Sequence, residues 1–495
     1  MSALLVAGIT SDAGKTVVTT GLCRAFARRG LRVAPFKAQN MSNNSMVTGD
    51  GAEIGRAQWV QAVAARAVPE AAMNPVLLKP GSDRRSHVVV MGQPFGSLDA
   101  HEFAGGRKPL HDAAFAAYDD LVGRFDVVVC EGAGSPAEIN LRAHDYVNMG
   151  LAQHGRIPTL LVGDIDRGGV FAAMHGTLAL LEAADQALMT GFVVNKFRGD
   201  VDLLRPGLDT LERLTGRPVH GVLPWLPDLW LDGEDALMVR DRPAAPPGAA
   251  ERVRVAVVVL PRISNFTDVD ALCLEPDLDV TFVDSPRGLA SADVVVLPGT
   301  RATLADLEWL RSRGLADAVL AHARRGGVVL GVCGGFQMLG RSVEDPDGVE
   351  GPAGATAPGL GLLDVRTVFG REKVLRLPTG SWSGVDVAGY EIHHGRVERG
   401  SGEEFLGGAR DGNVFGTLWH GALEGDAFRA AWLREVGTLL GRLVTPGPLS
   451  FAAVREERID ALADAVEEHL DVDALLALAR DGAPAGMPVV TGGLA

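Results

Sequence analysis

The residues best suited by type and spacing to do chemistry lie in Val328-Val329-Leu330-Gly331-Val332-Cys333-Gly334-Gly335-Phe336-Gln337-Met338-Leu339-Gly340. This stretch reads as a short apolar strand, a glycine-flanked cysteine and the start of a helix. Cys333 on such a turn would project from the carboxyl end of a parallel sheet, in the geometry of a nucleophile elbow with sulfur in place of the hydroxyl. Gly331, Gly334 and Gly335 permit strained backbone and close approach, and the helix N-terminus draws the thiol toward the thiolate. A lone cysteine is more often a buried structural residue; glycines on both sides favour the reactive reading. A thiol nucleophile needs a base within hydrogen-bond reach, and Gly416-Thr417-Leu418-Trp419-His420-Gly421 offers His420. The strand Asp293-Val294-Val295-Val296-Leu297 ends in Pro298-Gly299-Thr300. The backbone N–H groups of Gly299 and Gly334 are the candidate oxyanion donors.

A second chemistry is written at the other end. The strand Ala3-Leu4-Leu5-Val6-Ala7-Gly8 leads into Ile9-Thr10-Ser11-Asp12-Ala13-Gly14-Lys15-Thr16 and then an amphipathic helix through Arg29. Strand, Gly-rich loop, Gly-Lys-Thr and helix make a phosphate loop credible, with backbone N–H groups and the helix N-terminus holding phosphates. Lys15 would neutralise β/γ charge and Thr16 would hold Mg²⁺. The run Phe125-Asp126-Val127-Val128-Val129-Cys130 ends at Glu131, an acid at the carboxyl end of a buried strand, where α/β sheets bind ligands. Glu131 is therefore a candidate Mg²⁺ ligand. Asp164 and Asp166 follow another strand and could serve metal or substrate, or cap a helix, and Arg167 could clamp a carboxylate or phosphate. Ala38-Gln39-Asn40-Met41-Ser42-Asn43-Asn44-Ser45, after the strand Leu31–Lys37, reads as a polar binding loop or an ordinary Asn/Ser turn.

The elements that must carry these residues are strands alternating with helix-length segments, which predicts doubly wound, mainly parallel sheets in an α/β chain. A length of 495 residues suits two to four domains. Arg240–Ala250 is Pro/Ala-rich and reads as a linker. The expected division is a nucleotide domain over 1–235, a linker over 236–251, a thiol-enzyme domain over 252–434 and a helical extension over 435–495. The extension shows helical periodicity but no motif chemistry, and reads as a packing or interface helix pair. An apolar fraction of 47% and charged fraction of 22% are those of a soluble globular protein. A net charge of −15 argues against nucleic acid and anionic membranes as partners. Four scattered cysteines without metal spacing predict a reduced, cytoplasmic setting. Nothing in the sequence excludes a homo-oligomer.

Gly8–Thr16 resembles the variant phosphate loop of dethiobiotin synthetase and its relatives, the cobyrinic and cobyric acid amide synthases. Glu131-Gly132-Ala133-Gly134 is similar to the Glu-Gly-Ala-Gly of the same group. Partition-type ATPases carry a lysine near the loop start where this chain has Thr10. Pro35-Phe36-Lys37-Ala38-Gln39-Asn40-Met41-Ser42, Gly51–Gln58 and Asn74–Pro80 resemble motifs of the cobyric acid synthases. Ser82–Val90 fits loosely, with His87 at the place of an amide residue. The Pro-Gly strand end, Gly-x-Cys-Gly-Gly and late His resemble a class I glutamine amidotransferase domain. Tyr390-Glu391-Ile392-His393 and Gly416–Gly421 resemble the subgroup attached to these synthases. Many class I domains carry Glu two residues after the His; here that position is Ala422. Glu424 or His393 could orient His420 instead, or nothing does.

The resemblance implies an ATP-, Mg²⁺- and glutamine-dependent amide synthase acting on a corrinoid, adenosylcobyrinic acid a,c-diamide, at four carboxylates. It implies that Asn195 reads adenine alongside Gly14, Lys15 and Thr16. Lys37, Gln39, Asn40, Lys79 and Arg167, with Arg84 and Arg85, would face a polycarboxylate substrate. Two other readings stay open: a,c-diamide formation on cobyrinic acid, and a nucleotide-dependent regulatory module with an inactive glutaminase domain.

Overall fold

The computed structural model describes residues 2–80, 85–99, 107–226 and 252–491. The first sheet has six parallel strands in the order Val219–Pro224, Met189–Phe197, Thr159–Asp164, Ala3–Gly8, Val127–Glu131, Val33–Phe36. Its central strands are buried on both faces, as their continuous apolar runs predict. Successive residues alternate between two cores: Leu5, Val128 and Leu161 pack on one side, Leu4, Val6, Val129 and Leu160 on the other. All the strands run the same way, so Gly8, Glu131, Asp164 and Asn195 arrive together at the carboxyl edge. A four-stranded side sheet, Gln39–Met41, Val76–Pro80, Arg85–Val90 and Gln93–Asp99, stands beside it.

The second sheet runs Leu278–Val283, Val253–Val258, Val294–Leu297, Val328–Val332, Val414–Thr417, Gly408–Asp411, Glu403–Phe405. The first five strands are parallel and the last two antiparallel. The elbow strand Val328–Val332 is thus central, next to the strand that ends just before His420. A smaller sheet (Ala355–Pro358, Ser342–Asp345, Val365–Arg376, Glu391–Arg399) closes over this edge.

The expected linker over 236–251 lies outside the described residues, as do Arg84 and the side chain of Arg85. The boundary expected at 434 falls inside the helix Asp426–Leu440, whose Trp432, Leu433 and Val436 pack into the core of the second sheet. The helices Phe451–His469 and Val472–Asp481 do not form a separate unit. They return to the first sheet and supply Ile459, Leu462, Val466, Leu475 and Leu476 to one of its two cores. The fit is tight: a Cβ on Gly21 would lie 2.5 Å from Val466 Cγ2. Charge rows match as well. Arg24 and Arg28, one turn apart on the helix Lys15–Arg28, face Glu456, Asp460 and Asp464, spaced alike on Phe451–His469. Arg24 is buried and reaches Glu456 at 2.6 Å. No helix among the described residues is long and apolar enough to cross a membrane.

Leu462→Ala should therefore destabilise the nucleotide domain rather than a detached tail. The expected loss is about 2–5 kcal/mol in urea denaturation, with faster hydrogen exchange in the helix Lys15–Arg28. An unchanged exchange pattern there would mean that the C-terminal helices contribute nothing to this core.

Candidate active sites

Cys333 follows its strand with φ 49° and ψ −110°. A non-glycine residue there carries strain of order 1–3 kcal/mol, which the packing around it must hold. Gly335 is one reason the turn closes: a Cβ there would sit 2.0 Å from the carbonyl oxygen of Leu297. Gly334 opens the helix Gly334–Leu339, so its N–H has no acceptor within the helix and is available to an oxyanion. Gly299 lies across the site; a Cβ on it would be 2.9 Å from His420 Cε1.

His420 is buried and stacked on Tyr390, ring centroids 5.3 Å apart. Its Nδ1 is 2.7 Å from Asp268 Oδ2, and Asp268 Oδ1 accepts the Gly421 N–H at 2.8 Å. Asp268 is thus the group that orients the imidazole. Neither candidate named from the sequence does so: the His393 ring is engaged on the Gly395 carbonyl at 2.8 Å, and Glu424 pairs with Arg56 and Arg455. Burial alone would push the His420 pKa down. The Asp268 carboxylate, and after it the Cys333 sulfur, outweigh burial and raise it to about 10. Asp268 lies 152 residues from His420 in sequence, and no local spacing could have signalled the pair.

Cys333 lines a small cavity with Ser264, Arg301, Glu350 and Lys373, and with Lys79 from the nucleotide domain. Lys79 does not lie with Lys37 at the first sheet's edge. Its Nζ contacts Glu53 Oε1 at 2.7 Å and Ser45 Oγ at 2.9 Å, and Lys373, beside the second sheet, holds the other oxygen of Glu53. Burial raises the Glu53 pKa, but Lys373 and Lys79 overcome it and keep the carboxyl well below the usual carboxylate range. The domains also meet where the Ser45 N–H donates to Asn265 Oδ1 at 2.9 Å.

In the phosphate loop, Lys15 Nζ donates to the carbonyls of Thr10, Ser11 and Gly134 at 2.9–3.1 Å. Gly14 has φ 98°, and a Cβ on it would lie 1.9 Å from Asn195 Nδ2. Asn195 itself donates to the Ala13 carbonyl at 3.0 Å, so its amide braces the loop. Thr16 Oγ1 donates to Glu131 Oε1 at 2.8 Å. Lys37 Nζ reaches the same oxygen at 3.0 Å, and Gln61 Nε2 donates to Oε2 at 2.5 Å. Burial raises the Glu131 pKa, yet Lys37 and these hydrogen bonds bring it below its ordinary value. A hydroxyl and an ionised carboxylate beside phosphate-binding N–H groups suit Mg²⁺, which takes one or two protein oxygens and completes its shell with phosphate and water.

Asp166 is not brought to that pair. Its carboxylate is half-exposed and faces Arg198 at 3.5 Å. Asp164 is buried and held by Lys196 at 2.8 Å. Arg167 is exposed and pairs with Asp12 of the phosphate loop at 3.0 Å. Gln39 accepts from the Tyr146 hydroxyl, and Asn40 donates to Gln58 Oε1 at 2.8 Å. The residues grouped as substrate contacts are therefore dispersed: Lys37 to the Glu131 site, Arg167 to the loop, Lys79 to the domain boundary.

Asp268→Asn should lower the glutaminase kcat by about 10²–10⁴ and move the alkaline limb of its pH profile from near 10 toward the ordinary histidine value of 6.5. The sign follows from a raised pKa: the stabilisation from the pair is complete below 6.5 and is lost as pH climbs toward 10. A pH–rate profile of both proteins checks this; an unmoved alkaline limb would remove Asp268 from the role.

Residues 4–237 match the CobQ/CobB/MinD/ParA nucleotide binding domain, and residues 254–428 match the CobB/CobQ-like glutamine amidotransferase domain. The cobyric acid synthase of Mycobacterium ulcerans is 67% identical over 498 residues, covering 100% of both chains. Those of Mycolicibacterium gilvum and Mycobacterium tuberculosis are each 66% identical, again over 100% of both chains. Two-thirds identity over the whole of both chains places this chain in the cobyric acid synthase family.

Proposed function

We propose that the protein is a glutamine-hydrolysing cobyric acid synthase. It converts the b, d, e and g side-chain carboxylates of adenosylcobyrinic acid a,c-diamide to amides, giving adenosylcobyric acid, with ATP as activator and glutamine as nitrogen source. The observation that carries the reading is the Asp268–His420 contact: it supplies the orienting carboxylate whose absence at position 422 was the reason to suspect an inactive glutaminase.

In the glutaminase half, the Cys333 sulfur attacks the side-chain amide carbon of glutamine. The N–H groups of Gly334 and Gly299 receive the oxyanion. The C–N bond breaks as the His420 imidazolium, held by Asp268, gives its proton to the departing ammonia. Water then cleaves the thioester, releasing glutamate and the thiol. In the nucleotide half, a corrinoid carboxylate is a poor acyl donor until it takes the γ-phosphoryl group of ATP. Ammonia then attacks the acyl carbon and phosphate leaves. Lys15 and the loop N–H groups position the phosphates. Thr16 and Glu131 would hold Mg²⁺, which neutralises phosphate charge.

Mass spectrometry of the a,c-diamide incubated with enzyme, ATP, Mg²⁺ and glutamine tests this. Four successive acid-to-amide steps are expected. Cys333→Ala should abolish them with glutamine and leave them intact with free ammonia. An unchanged corrinoid despite turnover of ATP and glutamine would overturn the substrate assignment.

A further inference from the structure

Residues 53–61 touch both active sites. Glu53 is buried and bridges Lys79 to Lys373, which lines the Cys333 cavity. The helix Arg56–Ala64 begins two residues after the Glu53 neighbour Ile54 and carries two further buried contacts. At its first turn, Arg56 Nη2 reaches Glu424 Oε1 at 2.7 Å. One turn and a half later, Gln61 Nε2 is on Glu131 Oε2.

Each end leads directly into a site. Glu424 closes the turn Ala422–Glu424, which follows His420-Gly421, and the Gly421 N–H is bound to Asp268. The other oxygen of Glu424 is held by Arg455 at 2.8 Å, and the guanidinium groups of Arg56 and Arg455 both lie over the Trp59 ring, at 5.0 and 5.1 Å. Arg56 is buried, so it cannot exchange Glu424 for water. At the opposite end, three side chains converge on the Glu131 carboxylate. Lys37 and Thr16 share Oε1, and Gln61, a neutral amide, holds Oε2. Gln61 Oε1 and Gln58 Nε2, on the same buried face of the helix, have no hydrogen-bond partner among the described residues. Buried amides with unused atoms can re-pair when their neighbour changes.

We propose that the segment 53–61 is a relay: a change in what Glu131 binds shifts Gln61 and the helix, and Arg56 passes the shift through Glu424 to the loop that holds His420 against Asp268. This rests on the reading of the two sites given above. Coupling between sites is reciprocal for binding, so occupation of the glutaminase site must alter nucleotide affinity by the same factor. A clasp that merely holds the domains together would raise or lower both affinities without linking them. Arg56 and Glu424 are positioning residues in this account and touch neither substrate.

The experiment uses the full-length enzyme with Cys333 alkylated by 6-diazo-5-oxo-norleucine, a glutamine-like reagent, and the unlabelled enzyme. The Kd of a non-hydrolysable ATP analogue with Mg²⁺ is measured on both by calorimetry. Labelling should tighten the nucleotide by about fivefold or more, the lower range of allosteric coupling. In Glu424→Gln, and independently in Arg56→Met, the ratio should fall to near one while ammonia-driven amidation continues. Glu424 is partly exposed and its substitution keeps the volume, so this variant remains informative should Arg56→Met fold poorly. Equal affinities in the labelled and unlabelled native enzyme, or a ratio unchanged in Glu424→Gln, overturns the relay. Failure of ammonia-driven amidation in the native enzyme would instead count against the proposed function.

Discussion

A carboxylate shut away from water stays charged only if cations are brought to it, and Glu53 obtains one from each half of the chain. Lys79 comes from the side sheet of the nucleotide domain and Lys373 from the sheet that closes over Cys333. Neither lysine can leave without stranding a buried charge. Burial lowers the Lys373 pKa, and although Glu53 opposes this the result is about 8. That three-residue knot fixes how the two sheets face each other, and with them the cavity that Cys333 shares with Lys79. The Ser45–Asn265 bond and the Arg56–Glu424–Arg455 cluster then hold the same boundary on either flank.

The parts of each site that depend on contiguous backbone were legible in the sequence. The Gly-Lys-Thr loop and the glycine-flanked cysteine need their neighbours to make the turn, so the chemistry leaves a local trace. Asp268 leaves none, because orienting an imidazole requires only that a carboxylate arrive, from anywhere, at the end of a loop. Charge was equally ambiguous. Lys37 and Lys79 looked like contacts for an anionic substrate because sequence shows a cation but not its partner; the structure gives Lys37 to Glu131 and Lys79 to Glu53. Asp166 lies two residues past the strand Thr159–Asp164 and faces Arg198 rather than Thr16 and Glu131.

The C-terminal helices show the limit of periodicity in another way. Their apolar spacing announced a buried face, but not which sheet would cover it. The partner was written elsewhere, in Arg24 and Arg28 at the spacing of Glu456, Asp460 and Asp464. Reading it requires pairing two charge rows more than 400 residues apart.

That arrangement has a consequence for how the molecule is made. The core on one face of the first sheet, begun by the helices Lys15–Arg28 and Arg56–Ala64, stays incomplete until the helices Phe451–His469 and Val472–Asp481 emerge from the ribosome, long after the six strands have been synthesised. At the usual pace of synthesis the delay is on the order of tens of seconds. The glutaminase half, whose core is contained between Val253 and Val444, can settle in that interval. Leu4, Val18, Leu22 and Phe26 must meanwhile wait for Leu462 and Val466. A nascent chain cut short before Phe451 would carry a finished glutaminase joined to a nucleotide domain with an unfilled core, a natural target for chaperones and proteases. Birth order thus ties completion of the ATP-binding half to the synthesis of residues 451–481.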